Sequence, residues 1–131
     1  MKLGYTEITL KNADDVVSAE GGILDHDEVR QITVPAMVDT GAVTLVISEK
    51  LCEELGLKIE DECQSILPNC PKETVKMADP VKLHWKGRDI ICRPMVASSN
   101  DILLGEVPLD DLNIQVDLSC RKLLFVGDRR G

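Results

Sequence analysis

Short segments in which apolar and polar residues alternate recur along the chain, and they predict a mostly β structure. Residues 6–10 set their apolar side chains at every second position, as a strand with one buried face does. Segments rich in β-branched residues stand on both sides of Asp39. We predict strands at residues 6–10, 29–38, 44–47, 74–78, 81–85, 90–96, 114–118 and 123–126, with a short buried run at 102–104.

Two short helices interrupt this β pattern. Ser48 has the character of an N-cap, Leu51 and Leu55 follow four residues apart, and Gly56 fits the C-terminal cap. The second helix is predicted at residues 107–112, where a proline is tolerated in the first turn. Residues 12–15 are predicted to form a turn, and the acidic segment 25–28 an exposed connection.

These elements predict one all-β domain spanning residues 1–131. The chain has three aromatic residues, so its core must rest on valine, isoleucine and leucine, which favour strands. Many short strands with one or two short helices are typical of a small closed β-barrel.

The net charge and the cysteine content limit the partners, the cellular location and the cofactors that we expect. The formal net charge of −8 argues against nucleic acid or an anionic membrane as a partner, and the apolar run 42–47 is too short to span a bilayer. Five cysteines without a secretion signal indicate reduced thiols and a cytoplasmic location. Cys63 and Cys70 lack a zinc-ligand spacing, and His26 and His84 are predicted to be exposed, so we expect neither metal nor cofactor.

The candidate chemistry is concentrated in three linked features. An apolar strand, 34–38, leads into Asp39-Thr40-Gly41-Ala42; a β-branched strand then leads into a helix; and Leu103-Leu104-Gly105 precedes the second helix. From about residue 6 to residue 125 the chain resembles the retroviral-type (retropepsin-like) aspartic proteases. The resemblance is closer to the small prokaryotic proteins of that clan.

The resemblance implies a role for each residue of the motif. Asp39 would be the catalytic carboxylate, one of two that share a proton and activate water. Thr40 would lock two loops together through its hydroxyl, while Gly41 allows a tight turn and Ala42 keeps the site uncrowded. Leu104 and Gly105 would support the loop, because a side chain at position 105 would clash with it.

The motif occurs once in the chain, and one carboxylate cannot serve as both acid and base. The resemblance therefore implies a symmetric homodimer with one Asp39 from each subunit, acting as an endopeptidase on a protein or peptide.

One region departs from the family pattern. The hairpin that closes over substrate, the flap, is expected near Ala78, Asp79 and Pro80, yet residues of its tip are missing there. Either the flap is very short, or residues 63–71 replace it, or the sequence lacks a segment. A dimer that binds peptides without cleaving them is therefore the alternative to an enzyme. A third possibility is an acidic β domain in which the motif is only a turn.

Overall fold

The computed structural model describes residues 2–64, 73–117 and 122–125, and within them the chain is predominantly β. A nine-stranded curled sheet has the order β4-β5-β8-β3-β9-β2-β1-β6-β7, and a separate antiparallel pair joins β10 to β11. The predicted all-β class is confirmed. The strands are β1 Lys2–Asn12, β2 Gln31–Asp39, β3 Leu45–Ser48, β4 Ile59–Gln64, β5 Glu73–Ala78, β6 Val81–Trp85, β7 Arg88–Cys92, β8 Met95–Ala97, β9 Leu103–Leu104, β10 Ile114–Asp117 and β11 Lys122–Phe125.

The centre of the sheet brings distant parts of the chain together. The two-residue strand β9 lies between β2 and β3, parallel to β2 and antiparallel to β3. Because β2 ends at Asp39 and β3 begins at Leu45, the connecting loop 40–44 folds around the end of β9. The segments carrying the two motifs identified in the sequence are therefore neighbours.

One face of the sheet packs into the hydrophobic core. Trp85 is 1% exposed, and its indole N–H donates to the Thr6 hydroxyl at 2.9 Å, so the largest side chain is buried with its polar group paired. Aliphatic side chains supply the rest, as the low aromatic content predicted. Fully buried members include Ile8, Leu10, Leu45, Ile47, Leu55, Leu83, Leu104 and Leu112.

The first helix, α1 (Ala13–Glu20), corrects the prediction of a turn at residues 12–15. The Asn12 side chain accepts a hydrogen bond from the Asp15 N–H at 3.1 Å and caps the helix, and its amide also donates to the Leu55 carbonyl. Asparagine and aspartate favour both turns and helix N-termini, so the composition alone did not distinguish them.

The two predicted helices are present. In α2 (Glu49–Glu54) the Ser48 hydroxyl accepts from the Leu51 N–H at 3.1 Å, as an N-cap should, and Gly56 follows the helix with φ +68°. Helix α3 (Glu106–Asp111) contains Pro108 in its first turn. In the described ranges no helix is long and apolar enough to cross a membrane.

Two connections differ from the predicted boundaries. The acidic segment before β2 forms a short 3-10 helix, His26–Glu28, which is exposed as expected. The single strand predicted at 90–96 is divided into β7 and β8, because the chain leaves the sheet at Pro94, which has no N–H to donate.

Candidate active site

The loop after β2 presents Asp39 at the protein surface. Asp39 is the last residue of β2 and is half-buried. Its carboxylate oxygen Oδ1 accepts a hydrogen bond from the Gly41 N–H at 2.9 Å, and its carbonyl accepts from the Ala42 N–H at 3.1 Å. These two bonds close a tight turn that holds the carboxylate in one orientation.

A second segment fixes the shape of this loop from behind. The Gly105 N–H donates to the Thr44 carbonyl at 3.1 Å, and the next N–H along the chain donates to the Ala42 carbonyl at 2.9 Å. A Cβ at position 105 would lie 2.5 Å from the Thr44 carbonyl oxygen and 2.6 Å from that of Ala42. Both obstacles are backbone atoms, so only glycine allows this approach.

Leu104 anchors the supporting segment in the core. It is fully buried and is paired with Val38 on one side and Leu45 on the other. The structure therefore brings Asp39, Gly41, Ala42, Leu104 and Gly105 together.

Thr40 lies on the outer side of the loop. It is half-buried and lines a surface depression of about 320 Å³ with residues of α3 and β10. The depression opens beside the Asp39 turn, on the side where α3 begins. Its other lining residues are Glu106, Leu109, Asp110, Ile114 and Gln115.

Comparison with known proteins agrees with this geometry. Residues 27–84 match the family model described as aspartyl protease. EIAV protease, solved in complex with the inhibitor HBY-793, is 25% identical and superposes with a TM-score of 0.50, covering 66% of this chain and 83% of that one. The retroviral protease-like domain of Ddi1 from Leishmania major is 16% identical with a TM-score of 0.50, covering 74% and 82%. The chain is similar to the retropepsin-like aspartic proteases in its fold and in the sequence of residues 27–84. No curated protein sequence matches it at a significant level.

In this retropepsin-like fold the environment of Asp39 favours the ionised carboxylate. The Gly41 N–H, which donates to Oδ1, is the main cause of a lowered pKa for Asp39, and the positive charge of Lys2 acts in the same direction. Lys2 lies opposite Asp39 on β1 in the strand register. A single chain thus supplies this carboxylate in its ionised form.

A row of apolar side chains crosses the sheet beside this carboxylate. Residues directly opposite one another on paired strands point to the same face, so the register defines which side chains share a row. This row crosses β1, β2, β9, β3, β8 and β5, and it lies on the face opposite the main core. We call it the apolar row; it comprises Tyr5, Met37, Leu103, Val46, Met95 and Met77.

Asp39 shares the face of the apolar row, because it follows Met37 by two residues on β2. Exposure varies along the row: Tyr5 is 68% exposed, Met37 and Leu103 are half-buried, and Val46 is buried. This row could not be identified from the sequence, because its members come from six strands whose order only the fold defines. The signal that the sequence offered was the alternation of these residues with core residues along each strand.

The residues predicted to mark the flap have a different setting. Ala78 is buried, and Asp79 exchanges two hydrogen bonds with the Lys58 backbone: its N–H donates to the Lys58 carbonyl, and its carboxylate accepts from the Lys58 N–H, both at 3.0 Å. The Pro80 carbonyl accepts from the Ala13 N–H. The segment is a crossing between β5 and β6 that is hydrogen-bonded to the body of the fold, and the flap there stays a prediction.

An antiparallel pair of strands lies nearby in sequence. Strands β4 and β5 pair antiparallel from Ile59 with Ala78 onward. Most of the segment 63–71, the alternative suggested as a flap, lies outside the described residues.

A cluster of carboxylates lies elsewhere. In the described part of the chain, Asp25, Asp27 and Glu28 offer oxygen atoms within 4.8 Å of one another, all exposed. Strand β2, nine residues long and therefore on the order of 25 Å, separates this turn from Asp39. The cluster is not part of the Asp39 site.

Proposed function

We propose that the protein is an aspartic endopeptidase that acts as a homodimer, with one Asp39 from each subunit forming the catalytic pair. The observation that carries this proposal is the Asp39 turn: an oriented carboxylate at the surface, braced by the close approach of Gly105, on the same face as a row of apolar side chains. The likeness to EIAV protease supports it.

The need for a second subunit follows from the chemistry. Hydrolysis of an amide by this route requires one ionised carboxylate to take a proton from water and one protonated carboxyl to donate to the scissile carbonyl. The chain contains the Asp-Thr-Gly-Ala motif once. Two Asp39 carboxylates facing each other across a two-fold axis would share one proton, because two like charges at that separation cannot both ionise cheaply.

The depression beside Thr40 is the proposed contact surface of this dimer. It adjoins the Asp39 turn, and Leu109 and Ile114 contribute apolar side chains to it. A second copy seated there would bring its own Asp39 turn toward the first. The contact is isologous, so each Thr40 would occupy an equivalent position.

The apolar row suggests the class of substrate. Met37 and Leu103 are half-buried on the same face as Asp39, so an extended peptide lying across the turn would set its side chains against them. We propose that apolar residues next to the scissile bond are preferred. Burial of an apolar side chain contributes about 1.5–3 kcal/mol, enough to select among peptides.

The direct test compares the wild type with Asp39→Asn on a diverse peptide library from acid to neutral pH. The substitution preserves shape and removes the ionisable group. Cleavage by the wild type alone, with a bell-shaped dependence on pH, is expected, since one proton must be present and one absent. Equal cleavage by both proteins would trace the activity to a contaminant and refute the role of Asp39.

A peptide-binding dimer without catalysis is the second candidate. The observation in its favour is the crossing at Ala78–Pro80, which is hydrogen-bonded into the body where the family's flap was expected. Without a cover, water would stay in the site and positioning would suffer. A well-formed dimer that binds apolar peptides equally in wild-type and Asp39→Asn forms, and cleaves none, would establish this alternative.

A further inference from the structure

A second concave site lies across β2, β1 and β6, at the end of β2 away from Asp39. It is a cavity of about 200 Å³ between the outer face of the sheet, helix α1 and the turn that precedes β2. Gln31, Lys11 and Lys82 line it from three adjacent strands, and Glu20 and His26 line it as well. Val16, Ala19 and Val29 supply apolar walls.

The two lysines occupy a position that is unfavourable on its own. Lys11 on β1 and Lys82 on β6 are directly opposite each other in the antiparallel register, so their side chains leave the same face side by side. Like charges directly opposite each other destabilise a sheet. Both residues are half-buried, in a chain whose formal charge is −8 and which has 23 acidic residues available as partners.

Neither lysine forms an ion pair in the part of the chain that the structure describes. The ion pairs found there join Arg30 to Asp15, Lys76 to Glu49, His84 to Asp89 and Arg93 to Glu62. Glu20 lines the same cavity. None of these ion pairs joins its carboxylate to the ammonium group of Lys11 or Lys82.

Lys11 and Lys82 are not needed to cap the C-terminus of helix α1. The helix ends at Glu20, and its last carbonyls are already occupied: Val17, Ser18 and Ala19 accept hydrogen bonds from the backbone N–H groups of the residues that follow. Lysine ammonium groups are therefore not required to satisfy them.

We propose that this cavity binds a small dianion of the phosphate class between the ammonium groups of Lys11 and Lys82. A phosphate group carries a charge of about −1.5 to −2 near neutral pH, which offsets two adjacent cations, and lysine binds phosphate as a point charge. The cavity is smaller than the roughly 300–1,000 Å³ of sites for drug-sized ligands, so it suits the anionic group rather than a large cofactor. The inference is independent of the chemistry at Asp39.

The test uses the full chain, with inorganic phosphate as the probe and chloride and acetate at matched ionic strength as comparisons. Thermal unfolding and the backbone amide NMR shifts of Lys11, His26 and Lys82 are followed during titration. Phosphate should raise the melting temperature saturably and shift these amides, while chloride and acetate should require at least tenfold higher concentration for the same effect. Equal responses to all three salts at one ionic strength would refute a site.

Two variants separate binding from architecture. Lys82→Gln should melt at a higher temperature than the wild type in phosphate-free buffer, because it removes the like-charge pair, and it should lose the response to phosphate at least tenfold. Lys50→Gln, which removes an exposed lysine of α2, should keep that response. A lower melting temperature for Lys82→Gln together with an unchanged phosphate response would show that the lysines serve the fold alone.

Discussion

The Asp39 turn and the β5–β6 crossing were both assigned to the active site from the sequence. In the structure they differ in exposure and in the contacts that hold them. The Asp39 turn is exposed at its tip and supported from behind by Gly105, so a reactive group faces solvent on a rigid base. At the crossing Ala78 is buried, and Asp79 is half-buried and hydrogen-bonded to Lys58, so the segment contributes to the body of the fold. A short motif with its own hydrogen bonds can be located from sequence, whereas a cover defined only by family likeness requires the fold.

The largest expected effect comes from Gly105→Ala. Its Cβ would meet two backbone carbonyl oxygens at 2.5 and 2.6 Å, so the Asp39 turn or helix α3 must shift. We expect a loss of about 3 kcal/mol in the free energy of unfolding, measured by urea denaturation. Gly21→Ala is the matched control, because its nearest contact would be an ordinary 3.5 Å and its φ is −81°, and it should change stability by less than about 1 kcal/mol. Equal losses in both variants would contradict the bracing role of Gly105.

A smaller effect, confined to substrate use, is expected from Met37→Ala. The side chain lies on the face of Asp39 within the apolar row, so its removal should lower kcat/KM for peptides with apolar residues by about tenfold or more. Val17→Ala, at a 65% exposed position on α1, should leave kcat/KM unchanged. If Met37→Ala changes stability but not the preference among peptides, the row is not the substrate surface.

Asp79→Ala distinguishes a crossing from a flap. The variant loses the hydrogen bond from the Lys58 N–H, so the free energy of unfolding should fall by about 1 kcal/mol while KM stays within twofold. Asp101→Ala, at an exposed position, should do neither. A marked rise in KM at unchanged stability would return Asp79 to the role of a cover over the substrate.

The smallest effect concerns pH. In the single chain the Gly41 N–H and Lys2 lower the pKa of Asp39, so its ionised form stabilises the folded state above the ordinary value of 3.8. That contribution is lost as pH falls through the lowered pKa, and the stability difference between wild-type and Asp39→Asn monomers should vanish there. In a dimer the facing carboxylates should raise one of the two pKa values. Both pKa statements are tested by NMR titration of the Asp39 carboxyl group at protein concentrations below and above that at which the chains associate. Identical titration curves at the two concentrations would contradict a shared proton.

Local signals predicted most of the secondary structure. The Ser48 cap and the proline in the first turn of α3 are short-range features, so those helices were located correctly. Helix α1 was missed because its capping Asn12 and the aspartates of its first turn also favour turns. The apolar row could not be found, since its register depends on β9 lying between β2 and β3, which no local pattern encodes.

The paired-carboxylate proposal is tested most directly by mixing subunits. Wild-type and Asp39→Asn chains are unfolded together, refolded at equal amounts and assayed for peptide cleavage at constant total protein. If each active site requires Asp39 from both subunits, only wild-type homodimers cleave, and activity falls to about a quarter of that of the wild type, following the square of its fraction. Activity of one half, proportional to the wild-type fraction, would contradict the proposal by showing that one chain suffices.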